Sequence, residues 1–166
     1  MMIMIMMMMI MMMMSSTEDI RLKMAVIELL GSCVESQPGL LQLLMDLEEV
    51  EDRSQESGCL SPVLRLLSLC NKEAGPHWCD LHLVIVRLID SLWSRGRILA
   101  TTHLKQQKEF WSDLAHPLTS EPSEAGGQDV KMMKIRAFVL RVLSHEVYTW
   151  SGNNQICTTV LYAYTD

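Results

Sequence analysis

The sequence predicts an all-α fold, an α-solenoid fragment of stacked antiparallel helix pairs, and three observations carry that expectation. Apolar residues recur at three- and four-residue steps through most of the chain between Thr17 and Trp150, the spacing that lines one side of a helix. Short Pro- or Gly-containing breaks interrupt the pattern, and it resumes at once. Helices joined so closely must lie side by side, roughly antiparallel. No strand pattern alternates with them: Thr158–Tyr164 has some strand propensity but no partner strand. No strict repeat period is visible, so any array is degenerate.

The chain divides into a low-complexity tract (1–16), a helical segment (17–150) and an unassigned tail (151–166). Met1–Met14 contains only Met and Ile. It is shorter than the roughly 20 apolar residues of a membrane span, and it lacks the basic start of a signal peptide. It is expected to stand apart from the folded unit.

The first helix is expected to start at Ser15 or Ser16, where Ser15 and Glu18 have capping-box spacing. It runs to Ser36, with Ile20, Met24, Ile27, Leu30 and Val34 on one face. Gly31 costs about 1 kcal/mol relative to Ala inside a helix, which a close helix approach would explain. Pro38 then breaks the helix and pushes Gln37 out of the α region. A second helix, Pro38–Glu49, carries Leu40, Leu43, Leu44 and Leu47. Glu48–Gly58 reads as a solvated acidic connection.

A third helix opens at Ser61–Pro62, with serine as cap and proline in the first turn. It buries Val63, Leu64, Leu66, Leu67 and Cys70, and Asn71–Pro76 ends it. The fourth helix, Cys79–Arg95, is the most apolar. Its stripe of Leu81, Val84, Ile85, Leu88, Ile89, Leu92 and Trp93 is broad enough to require cover on more than one side. Gly96 stops it. Arg97–Lys105 and Lys108–Ala115 are shorter helices, the second ended by His116–Pro117. Thr119–Gln128 is a polar loop. The last helix, Asp129–Trp150, starts on an Asp129 cap. It is expected to bury Val130, Met133, Ala137, Leu140, Ser144 and Val147, with Phe138 and Val142 beside them. Ser151–Asn154 stops it.

Composition narrows the function classes. The chain has 166 residues and a formal net charge of -6. With no Lys/Arg run, neither nucleic acid nor an anionic membrane surface is an expected partner. The apolar fraction of 49% is inflated by the first tract; without it the value is about 44%, ordinary for a globular chain. Five cysteines, Cys33, Cys59, Cys70, Cys79 and Cys157, are odd in number and irregular in spacing. They fit free thiols in a reducing compartment better than a disulfide framework.

Candidate chemistry is thin. His77, Cys79 and His82 form a metal-like cluster, but no fourth ligand lies nearby, and a structural zinc site needs four. The bland reading is a helix start beside a buried tryptophan. Nothing local activates a Cys–His pair as a nucleophile. Asp46, Glu48, Glu49, Glu51 and Asp52 lack the ligand order and central glycine of a calcium loop. His145–Glu146 has one histidine where the zinc-protease motif needs two. Trp93 and Trp111 read as core anchors. No catalytic, cofactor-binding or metal residue is therefore assigned, and no small-molecule substrate or transmembrane segment is expected.

One stretch carries more than periodicity. The run ELLGSCVESQPGLLQLLMDLE, Glu28–Glu48, closely resembles a segment of the 188-kilodalton scaffold nucleoporin family. Later blocks keep the family's order: Trp78–Cys79, Leu92–Trp93, KEFWSDLAHPL at Lys108–Leu118, a polar loop, Met133–Ile135 and His145–Tyr148. The resemblance covers about Thr17–Tyr148, while Met1–Met14 and Ser151–Asp166 depart from the family. It implies a non-enzymatic solenoid of the nuclear pore's inner ring at the nuclear envelope. The implied partners are other nucleoporins, especially inner-ring adaptors, and the implied role is support of nucleocytoplasmic transport. A transport-receptor-like helical adaptor and a small thiol or metal-dependent enzyme are the alternatives. The adaptor would show a ladder of exposed Asn or Trp, which is not found.

Overall fold

Six α-helices and no strand occur among the described residues, 20–37, 39, 60–73, 75–120 and 129–152, of the computed structural model. They are α1 (Ile20–Ser36), α2 (Ser61–Lys72), α3 (Pro76–Ser94), α4 (Ile98–Gln106), α5 (Phe110–Thr119) and α6 (Asp129–Gly152). The Ser15/Glu18 cap, all but Gly39 of the helix expected at Pro38–Glu49, and the acidic connection lie outside the described residues. So do Cys59, Cys157, most of the Thr119–Gln128 loop and all but the first two residues of the tail.

Helix α3 is the centre. Its most extensive contacts are with α6 and α1, and it also meets α2 and α4. A second set of contacts runs from α5 to α2, α6 and α4. The broad apolar stripe predicted for α3 is the cause: Leu81, Ile85, Leu88, Ile89, Leu92 and Trp93 are all buried, while Val84 is half-buried. Each fully buried Leu or Ile contributes about 1.5–3 kcal/mol of transfer free energy. On α1 the expected face holds, with Ile27, Leu30 and Val34 buried and Ile20 and Met24 packed at its edge. Gly31 does not mark a close approach: a Cβ there would meet nothing within 4 Å.

Several boundaries differ from expectation for identifiable reasons. In α2 the cap position belongs to Leu60, not Ser61. Leu60 is already in the α region, its carbonyl accepts from Leu64 N at 3.0 Å, and its side chain is buried. Burial of a leucine thus fixes this helix start. Helix α3 begins at Pro76, three residues early, because proline suits a first turn and Gly75 (φ 147°) makes the sharp entry. Gly96 (φ 62°) ends α3 in a Schellman turn, with Arg97 N bonded to Leu92 O and Gly96 N to Trp93 O, both at 3.0 Å.

Pro117 does not end its helix; α5 runs through it to Thr119. Proline has no N–H to give the carbonyl four residues back, that of Asp113. Asn71 Nδ2 of α2 donates to that oxygen at 2.9 Å. The group orphaned by proline therefore becomes an interhelical tie.

Helix α6 reverses the expected face. Val130, Met133, Ala137, Leu140, Ser144 and Val147 are exposed. The buried residues are Ile135, Val139, Val142 and Glu146, with Met132, Phe138 and Leu143 half-buried. Two seams run along this helix on nearly opposite sides, each stepping by three and four residues. One of them contains Glu146, so apolar content alone selects the wrong one.

Candidate contact surface

The metal-like cluster does not converge. His77 is exposed in the first turn of α3, whereas Cys79 and His82 are buried. Burial, reinforced by His116, lowers the His82 pKa from 6.5 to about 4, so its imidazole is neutral at pH 7. Its Nε2 has no hydrogen-bond partner among the described residues. Among the described residues, no group of three or more His, Cys, Asp or Glu is placed to hold a metal ion. Cys33, Cys70 and Cys79 are free thiols. Burial, and then the nearby Cys79, pushes Cys70 up to about 12, and burial raises Cys79 as well. Buried thiols held protonated are poor nucleophiles.

The most organised polar group lies where α3, α4 and α6 meet. Trp93 Nε1 donates to Glu146 Oε2 at 2.9 Å, and Lys105 Nζ lies 2.6 Å from Glu146 Oε1. The Trp93 ring stacks on Phe110 of α5 at 5.7 Å, and Trp111 meets both rings edge-on. Lys105 Nζ also sits 5.8 Å from the Trp93 ring centroid. Trp93 and Trp111 are thus anchors, as their sequence setting predicted. Glu146 was missed; its one signal is that it continues the 135, 139, 142 register by four residues.

Other polar ties join the helices. Arg141 pairs with the buried Asp90 at 3.2 Å, and Lys131 with Asp80 at 2.5 Å, both between α6 and α3. Burial raises the Asp90 pKa, which Arg141 and then His145 oppose. Arg97 Nη2 donates to Val34 O at 2.8 Å, placing a cation on the last turn of α1. Arg136 donates to Pro117 O at 2.8 Å and Ser120 O at 2.9 Å at the end of α5.

These groups hold helices together; none presents a nucleophile beside a base. What remains open is a surface. On α6, Val130 is 65% exposed, Met133 65%, Leu140 55% and Val147 62%. A contiguous apolar strip of this kind marks a contact face more often than a reaction site.

Comparison with known proteins gives this surface a context. Over 147 aligned positions, 81% of this chain, it is 31% identical to human nucleoporin NUP188. The mouse protein is 32% identical over the same share. The chain is similar to a segment of the NUP188 nucleoporins. The Xenopus tropicalis NUP188 is 30% identical over 79% of the chain. In each case the chain spans about 8% of the NUP188 length, so it corresponds to a small part of those proteins. No family profile and no solved structure matches it. As nucleoporins, NUP188 proteins are components of the nuclear pore complex at the nuclear envelope. No helix among the described residues is long and apolar enough to cross a membrane.

Proposed function

We propose that this chain is a non-enzymatic, structural piece of the nuclear pore complex, located at the nuclear envelope. The similarity to NUP188 along 81% of its length carries that reading. In it, successive helix pairs stack into a solenoid whose neighbours cover apolar faces that a single pair leaves open. The two-sided apolar character of α6 supports this, because a helix covered on one side only needs one seam. The role is scaffolding of the inner ring, in contact with other nucleoporins and especially its adaptors, in support of nucleocytoplasmic transport.

The test is localisation and partner capture. A fluorescently tagged 166-residue chain should collect at the nuclear rim and retrieve nucleoporins after mild crosslinking. A diffuse chain without nucleoporins would refute the reading. Cargo-dependent shuttling in place of stable residence would favour a transport-receptor-like adaptor.

A further inference from the structure

We propose that Cys70 and Cys79 form a redox-active dithiol, which a glutathione-type disulfide converts to an intramolecular disulfide across the turn between α2 and α3. The two thiols flank one short connection, residues 73–75. Cys70 lies two residues before the end of α2, and Cys79 is the fourth residue of α3. Each is 8% exposed, and both belong to the same apolar core. A negative charge on Cys79 is felt at Cys70, so the pair is close in space as well as in sequence. Packed helices lie about 8–10 Å apart, axis to axis, and each Cα stands about 2.3 Å off its own axis. Inward-facing Cα atoms at a shared helix end therefore come within about 7 Å, the reach of a disulfide.

The chemistry is thiol–disulfide exchange. Cys79 attacks first. It lies at the start of α3, where the positive helix end favours a thiolate, and Lys131 adds a nearby cation. Burial holds the thiol protonated while the helices are closed, so the reaction waits for a local opening at this end. The Cys79 thiolate then bonds to one glutathione sulfur, the glutathione S–S bond breaks, and one glutathione leaves as its thiolate. The Cys70 thiolate next bonds to the Cys79 sulfur and expels the second glutathione. The protons lost by the two cysteines end on the two glutathione thiols. Two cysteines are oxidised and one glutathione disulfide is reduced. Disulfides in a reducing compartment are typically transient and redox-sensing. This one would staple α2 to α3 beside Asn71, the residue that ties α2 to α5. The inference stands on the two thiols and does not need the nuclear pore reading.

The test places the full 166-residue chain in mixtures of oxidised and reduced glutathione, quenches with acid, and maps all five cysteines by tryptic digestion and mass spectrometry. Lys72 separates the two thiols, so the bond should join peptide Leu66–Lys72 to peptide Glu73–Arg87. That linked pair should exceed every other cysteine pair by about tenfold or more, and it should vanish when reduced glutathione is restored. Cys70→Ser should abolish the linkage and leave glutathione on Cys79. The oxidised chain should unfold at a higher urea midpoint than the reduced one, a rise that Cys70→Ser removes. Cys79→Ala serves as the second variant, and mapping of the unmodified chain needs neither. Cys70 and Cys79 staying reduced while half-buried Cys33 takes up glutathione overturns the proposal; the pair are then simply small core side chains. Linkage of either to Cys33, Cys59 or Cys157, or between two chains, also overturns it, as does a linked pair that reduced glutathione fails to open.

Discussion

Removing the carboxylate of Glu146 tests how the helices are held together. Glu146 is 6% exposed and serves two donors, the Trp93 indole at 2.9 Å and the Lys105 ammonium at 2.6 Å. Glu146→Leu leaves the indole N–H buried without an acceptor, a cost of about 1–3 kcal/mol. The Lys105 side chain keeps 34% exposure, so loss of the ion pair is screened and adds only about 0–1 kcal/mol. The expected destabilisation is therefore about 1–4 kcal/mol. Glu146→Gln keeps an acceptor for Trp93 and should cost about 1 kcal/mol. Trp93→Phe removes the donor while keeping a ring against Phe110 and Trp111. In the double variant Trp93→Phe/Glu146→Leu neither partner is left unsatisfied, so the two losses should fall short of additive by about 1–2 kcal/mol. Urea unfolding followed by far-ultraviolet circular dichroism measures the unmodified protein and each of these variants. A cycle additive to within about 0.5 kcal/mol would refute the assignment of this bond as an energetic tie.

Three further outcomes follow from the same structure. The unfolded-state His82 takes up a proton as pH falls through 6.5, whereas the folded one resists until about 4. Stability should thus be lost across that window by up to about 3 kcal/mol. His82→Gln should flatten the profile, measured in an Asp90→Asn background because the raised Asp90 pKa makes stability fall as pH rises just above the ordinary carboxylate range. Half-buried Cys33 should be alkylated before the buried Cys70 and Cys79, as peptide mapping of timed iodoacetamide labelling would show; early labelling of Cys70 contradicts its burial. Gly31→Ala fills open space on α1 and should stabilise the protein by about 1 kcal/mol in urea melts, whereas a loss would expose an unseen contact at that position.

What the sequence revealed depended on whether the deciding information was local. Helix α3 was legible because its apolar stripe is too wide to admit only one covered side. The Gly96 stop was legible because a left-handed position at a helix end favours glycine. Pro117 misled because its consequence is settled by Asn71, which lies 42 positions from Asp113 and supplies the missing donor to that carbonyl. The inward face of α6 misled because two seams of equal period compete, and a buried acid sits in the one that wins. That acid becomes acceptable only when Trp93 and Lys105 arrive from other helices. Val130, Met133, Ala137, Leu140, Ser144 and Val147 were therefore assigned to the interior, whereas all six are exposed. The solenoid expectation rests on the resemblance and on helix succession; the all-helical part of it is what the described residues show.

The central place of α3 sets how the molecule comes apart. Helices α1 and α6 each rest extensively on α3, but they share no comparable contact with each other. Either can therefore peel away while the opposite one stays bound, whereas loss of α3 removes the main seat of both and leaves α6 only its contacts with α5. Amide hydrogens should accordingly exchange in steps, those of α1 and α6 released by separate partial openings and those of α3 only when the whole chain melts. Mechanical load applied at α1 or α6 would then be shed one helix at a time before the centre yields.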